Sequence, residues 1–163
     1  MIKDLLAEFQ AEIPSSRKCL ERIPDSLYDW KPHEKSMNLG YLTVLVADIP
    51  RWISFMLDKR EIDFLTFEQH MPKSSNEMLD FFDRNTASAI SSFNKAAEED
   101  LKKNFVLRRG DQIIIDSPLG ENLSSTINHW VHHRGQLTVY MRLNDISVPS
   151  IYGPSADEPM FTK

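Results

Sequence analysis

Apolar side chains recur every three or four residues along four segments of the chain, the spacing that places them on one face of a helix. The pattern predicts helices over residues 2–23, 38–57, 74 to about 98, and 120–143. Asn38 and Ser74 are suited to cap the second and third helices, and Glu77 completes a capping box with Ser74.

Two prolines lie inside these predicted helices. Pro14 falls in the first helix and Pro50 in the second. Proline has no backbone N–H to donate, and its ring crowds the carbonyl four residues earlier. We therefore expect a kink or break at Pro14 and an interruption at Pro50.

Between the third and fourth helices the pattern becomes typical of strands. Two apolar runs, 105–107 and 113–115, flank the turn-forming triplet Arg109-Gly110-Asp111, which predicts a small β-hairpin. Four helices in a chain of 163 residues predict an all-α, antiparallel four-helix bundle with this hairpin before the last helix. The length favours a single domain over residues 1–163.

Charge and composition exclude several classes of protein. A formal net charge of -5 argues against nucleic acid and anionic membranes as partners, since both bind basic surfaces. The most apolar stretch, 42–49, is too short to span a bilayer, and Asp4 and Glu8 interrupt the N-terminal segment where a signal peptide would need an apolar run. With one cysteine, Cys19, no intrachain disulfide can form. We expect a cytoplasmic protein.

The residues best suited to chemistry lie in the fourth helix. His129 and His133 are four positions apart, so both imidazoles project from one helical face. That spacing suits two ligands on one metal ion, although it also suits a polar surface patch or a hydrogen-bonded pair in the core. Gln136 and Tyr140 continue the same face, where they either orient a substrate or pack.

Two further residues of this helix have structural interpretations. Arg134 is expected to pair with a carboxylate of the fold. Gly135 lowers helix stability relative to alanine, which a close approach of a neighbouring helix would explain.

Residues 132–145 and 148–158 resemble the C-terminal part of the DinB family, DinB/YfiT-like four-helix bundles also described as damage-inducible proteins or metal-dependent hydrolases. Segments 30–33, 36–40 and 49–52 resemble the family's first loop and second helix. The resemblance covers nearly the whole chain and implies a homodimer. It also implies three metal-binding histidines, two of which fall on His129 and His133.

The third family histidine is replaced here. Reading residues 39–52 against the family pattern places Leu45 at the histidine and Asp48 at a nearby acid. Three arrangements stay open. Asp48 supplies a carboxylate to a metal site with His129 and His133. Alternatively, Asp48 accepts a hydrogen bond from an imidazole. In the third arrangement the metal has been lost, and Leu45 packs against the histidines in an apolar pocket.

The resemblance implies an enzyme that uses a divalent metal (Zn, Ni, Fe or Mn) for hydrolysis or thiol transfer on a small molecule, with a low-molecular-weight thiol as cosubstrate. The metal would lower the pKa of a bound water or thiol. The replacement by Leu45 favours an alternative from another class: a non-catalytic, small-molecule-binding or structural homodimer with a metal-free pocket.

Overall fold

Four α-helices make up more than half of residues 1–159, the part of the chain that the computed structural model describes. They are α1 (Ile2–Leu20), α2 (Leu39–Lys59), α3 (Ser75–Lys95) and α4 (Leu119–Leu143). Three short strands are β1 (Glu61–Asp63), β2 (Asn104–Arg109) and β3 (Gln112–Pro118). This arrangement confirms the predicted four-helix bundle. Residues 160–163, the end of the predicted single domain, lie outside the described part.

Local sequence starts α2 and α3 where the caps predict. The side chain of Asn38 accepts the Tyr41 N–H at 2.8 Å, and the Ser74 hydroxyl accepts the Glu77 N–H at 3.2 Å. The end of α3 differs from the prediction, because the chain becomes extended at Ala96 and then forms a separate 3₁₀ turn over Glu98–Lys102.

Both prolines lie inside uninterrupted helices, so the breaks expected at Pro14 and Pro50 are absent from α1 and α2. At Pro50 the missing backbone donor is replaced from other helices. The indole N–H of Trp130 donates to the Val46 carbonyl at 2.8 Å, and the amide of Asn85 donates to the Ala47 carbonyl at 2.9 Å. These two bonds tie α2 to α4 and α3.

Aromatic side chains fill the middle of the bundle. Trp130 is fully buried, with its ring centroid 5.2 Å from that of Phe9 and 6.1 Å from that of Phe82. Cys19 is also buried in this core, and burial raises the pKa of its thiol to about 11. Because nucleophilic cysteines act as thiolates, this thiol is a packing residue.

The predicted hairpin is part of a three-stranded sheet with the order β1-β2-β3. β2 and β3 pair antiparallel across a turn in which Gly110 has a φ of 59°. β1, which the sequence pattern did not predict, pairs parallel with β2 and follows α2 directly. The sheet therefore lies against the end of α2, beside the last helix.

The second helix, Leu39–Lys59, is long and apolar enough to cross a membrane by length and composition alone. Within the bundle, 72% of its most apolar window is buried. α2 is therefore a core helix, whose apolar face packs against the other helices.

Candidate functional site

His129 and His133 lie together on α4, as their spacing predicts. Their Nε2 atoms are 2.7 Å apart and their ring centroids 4.5 Å apart. His133 is buried, at 8% exposure, and His129 is half-buried. The short distance between the two Nε2 atoms is that of a hydrogen bond, in which one nitrogen carries the proton and the other accepts it.

Gln136 determines which nitrogen carries the proton. Its side-chain oxygen lies 2.8 Å from Nδ1 of His133. An oxygen cannot donate there, so Nδ1 of His133 is the N–H, and in the neutral ring Nε2 has the lone pair. His129 consequently donates from Nε2 to Nε2 of His133. Gln136, predicted on the same face, thus orients the pair.

The surroundings of His129 disfavour its charged form. Burial lowers the pKa of His129 below its usual value, and the neighbouring imidazoles of His133 and His132 lower it further. Trp52 contributes to this burial, since its ring centroid lies 5.8 Å from that of His129. A neutral imidazole can accept a proton, which a protonated one cannot.

Asp48 is buried, at 7% exposure, and its carboxylate binds its own helix neighbours. Arg51 donates to Oδ1 at 2.7 Å and to Oδ2 at 3.2 Å, and the indole N–H of Trp52 donates to Oδ2 at 3.1 Å. Both carboxylate oxygens therefore accept hydrogen bonds from Arg51 and Trp52, and none of these bonds involves a histidine.

Two neighbouring cavities lie between the bundle and the sheet, and Trp52 and Phe64 line both of them. The larger cavity, of about 430 Å³, is lined by Leu45 and Asp48 among others. The smaller, of about 220 Å³, has apolar side chains from α2 and the sheet on one side and polar side chains of α4, His129 among them, on the other. His129 is therefore accessible to a small molecule in the smaller cavity.

The other sequence candidates lie away from these cavities. The hydroxyl of Tyr140 donates to the Met37 carbonyl at 3.3 Å, and its ring packs edge-on against Trp30, so Tyr140 anchors the first loop. Arg134 forms a buried ion pair with Glu12 at 2.5 Å, which confirms the expected carboxylate partner. The expectation for Gly135 is wrong: it is exposed, and a Cβ there would meet nothing within 4 Å.

The donor set fits a metal ion only in part. Two Nε2 atoms converge as two ligands would, and Gln136 gives His133 the tautomer that a ligand needs. Catalytic zinc sites generally use three protein ligands, and Leu45, which stands where the resemblance implies a third histidine, has no atom that can bind a metal. Residues 1–159 contain no group of three His, Cys, Asp or Glu side chains placed to bind an ion. The described residues therefore do not complete a metal centre.

Sequence reasoning missed much of the cavity wall. Phe64, Phe67 and His70 lie in the connection between β1 and α3, and Arg109 lies at the end of β2. No periodic pattern marks these positions, because they come together only when the sheet packs against α2. The signal that was present, Trp52 and Asp48 four residues apart on α2, did not indicate a cavity by itself.

The model of the DinB family matches residues 1–160. The uncharacterized protein YrdA of Bacillus subtilis (strain 168) is 51% identical over 41 residues, 25% of each chain. The match therefore spans about a quarter of the length of that relative.

Three solved structures share the fold. A DinB-like protein from Bacillus cereus ATCC 10987 is 23% identical, with a TM-score of 0.72 over 92% of this chain and 97% of that one. The DinB-like protein YjoA from Bacillus subtilis is 17% identical, with a TM-score of 0.73 over 90% and 96%. A mycothiol-dependent maleylpyruvate isomerase is 11% identical, with a TM-score of 0.58 over 84% of this chain and 60% of its own.

Proposed function

The chain belongs to the DinB family, and from that premise we propose that it is an enzyme that acts on a small molecule through His129 and His133. The reaction is hydrolysis of the small molecule, or transfer of one of its groups to a low-molecular-weight thiol. The observation that carries the proposal is the hydrogen-bonded imidazole pair, 2.7 Å between Nε2 atoms, beside a cavity. The structural similarity to a mycothiol-dependent enzyme supports the thiol as cosubstrate.

The pair supplies proton transfer. A neutral imidazole takes the proton from the S–H of a thiol, or from the O–H of water, and the resulting nucleophile attacks an electrophilic carbon of the substrate. The imidazolium then returns the proton to the leaving group. Gln136 preserves the tautomer of His133 through its 2.8 Å contact, and the smaller cavity gives a substrate access to His129.

The test compares single-histidine variants in the presence of a chelator. Hydrolysis of a panel of esters, and consumption of coenzyme A or free cysteine by a panel of electrophiles, are measured for wild type, His129→Gln and His133→Gln. We expect each variant to lose activity by a factor of about 10² or more, the usual size of general acid–base catalysis. The matched control is His33→Gln, an exposed histidine outside both cavity linings, which should keep full activity. Equal rates in His129→Gln and wild type would refute the proposal.

The metal has a separate test. In wild type, a divalent ion (Zn, Ni, Fe or Mn) would need a third ligand beyond His129 and His133. Asp48 could supply it only after its hydrogen bonds from Arg51 break. Metal content is measured by mass spectrometry for wild type, Asp48→Ala and Leu45→His. We expect stoichiometric metal only in Leu45→His, which restores the family's third histidine. Stoichiometric metal in wild type that disappears in Asp48→Ala would show instead that Asp48 is a ligand.

The replacement at Leu45 favours a second candidate function, a non-catalytic protein that binds a small molecule. An apolar side chain at the third ligand position leaves the cavities suited to binding while weakening the reactive centre. In that case no variant, including Leu45→His, turns over any substrate of the panel, although ligands still bind.

A homodimer is part of the proposal, as the family resemblance implies. The outer face of α4 leaves Val139 and Leu143 about 57% and 58% exposed, which suits contact with a second copy. Analytical ultracentrifugation of wild type and Val139→Glu measures the association. A monomeric wild type would contradict this part of the proposal.

A further inference from the structure

The larger cavity has an apolar wall suited to a flat ring. Leu45, Trp52, Phe64 and Phe67 line it, and the rings of Trp52 and Phe67 meet edge-on with centroids 6.3 Å apart. Its volume of about 430 Å³ lies within the range of small-molecule sites. The body of a bound molecule would therefore be aromatic or otherwise apolar.

The carboxylate in this wall carries no free charge. Asp48 accepts two hydrogen bonds from Arg51, so the two side chains form a neutral pair. Arg51 also donates to the Glu68 carbonyl at 2.8 Å and lies 4.1 Å from the ring centroid of Phe67, and it is not part of the cavity lining. The pair therefore adds no net charge to the cavity wall.

Arg109 is the remaining charged side chain of the cavity lining. It is exposed, and within the described range 1–159 it makes no hydrogen bond or ion pair. Its neighbour Arg108 differs, since it donates to Glu61 at 2.9 Å and pairs with Asp63. Tyr41 and His70 also belong to the lining, and the ring of His70 packs 4.7 Å from that of Phe81. The cavity thus combines an apolar wall with one available guanidinium.

We propose that the larger cavity binds a small aromatic carboxylic acid, with Arg109 receiving the carboxylate and Trp52 and Phe67 holding the ring. A guanidinium offers paired N–H donors that match the two oxygens of a carboxylate. The proposal rests on the proposed function where it takes this acid as the substrate or as part of it. The binding itself requires neither the histidines nor turnover.

The experiment titrates three isosteric probes into the protein and follows binding by calorimetry. The probes are naphthalene-2-carboxylate, naphthalene-2-carboxamide and 2-naphthylmethylammonium, which differ in charge and share the same naphthalene ring system. For wild type we expect the carboxylate to bind at least tenfold more tightly than the amide, and the ammonium to bind most weakly. In Arg109→Gln the carboxylate should lose that advantage while the amide binds as before.

Two control variants make the result specific. Lys95→Gln removes the same charge from an exposed residue outside the cavity lining and should leave all three affinities unchanged. His129→Gln should also leave them unchanged, which separates failure of the enzyme proposal from failure of this one. Equal binding of carboxylate and amide to wild type, an unchanged preference in Arg109→Gln, or no binding of any probe would each overturn the proposal.

Discussion

Two adjacent residues of α4, His133 and Arg134, belong to two polar clusters. The Arg134 cluster joins several segments of the fold, and the His133 cluster borders a cavity. Arg134 is 1% exposed, and its guanidinium contacts Glu12, Ser16 and the hydroxyl of Tyr152, which in turn donates to Glu12 at 2.9 Å. Its partners are all protein groups, and together they join α1, α4 and the C-terminal segment.

The histidine pair leaves part of its hydrogen-bonding capacity unused. His129 contacts His133 through Nε2, whereas its Nδ1 has no hydrogen-bond partner among residues 1–159, and the ring borders a cavity. A buried ion pair held by protein groups from three segments stabilises the fold. An incompletely satisfied polar cluster beside a cavity can bind or react, at little cost to stability.

The largest expected effect is on the Arg134 side. Arg134→Ala leaves the Glu12 carboxylate buried without its cation, so we expect the free energy of unfolding to fall by about 3–5 kcal/mol. Urea denaturation followed by circular dichroism measures it. Tyr152→Phe, which removes only the hydroxyl, should cost about 1 kcal/mol. If Arg134→Ala lowered the free energy of unfolding by less than Tyr152→Phe does, the ion pair would not be what stabilises this cluster.

His133→Leu should affect stability far less. It removes a hydrogen bond to His129 and one to Gln136, and both partners can turn to water at the half-exposed edge of the cavity. We expect a loss of about 1 kcal/mol in the same denaturation experiment, together with loss of the proposed activity. A stability loss as large as that of Arg134→Ala would place the histidines among the structural residues instead.

The same comparison explains what the sequence could predict. The proximity of His129 and His133 follows from a spacing of four on any helix, and the caps at Asn38 and Ser74 are equally local. The continuity of α2 through Pro50 is different. It depends on Trp130, eighty residues further on, which supplies the donor that the Val46 carbonyl would otherwise lack.

Parts of the fold that depend on pairing between distant residues could not be predicted from the sequence for the same reason. β1 has three residues, too few for a recognisable alternation, and it exists because it pairs with β2, more than forty residues later. The larger cavity is assembled from α2, the segment after β1 and the end of β2. The family resemblance implied a histidine at the position of Leu45, whereas the two hydrogen bonds from Arg51 to Asp48 depend on side-chain geometry that no sequence pattern specifies.

The pH dependence of stability provides a test of the environment of His129. Burial and the neighbouring imidazoles lower its pKa in the folded protein, while the unfolded chain takes up a proton near the usual value of about 6.5. As the pH falls below that value, protons bind the unfolded state first and stabilise it. The free energy of unfolding therefore decreases with falling pH until the lower pKa of the folded state is passed. Denaturation of wild type and His129→Gln at a series of pH values, with a chelator, measures the difference. Identical pH profiles would contradict the assigned burial.

The smallest expected effect concerns Gly135, which belongs to neither polar cluster. In the single chain a Cβ at this position meets nothing within 4 Å, so Gly135→Ala should raise the free energy of unfolding by roughly 0.5–1 kcal/mol through helix propensity alone. Gly135 is exposed on α4 near Val139, so a dimer that brings two copies of α4 together would remove that space. Thermal denaturation and ultracentrifugation of Gly135→Ala therefore give opposite results for the two cases. A stabilised variant with unchanged association leaves this face of α4 free, whereas a destabilised or dissociated one locates the contact between copies there.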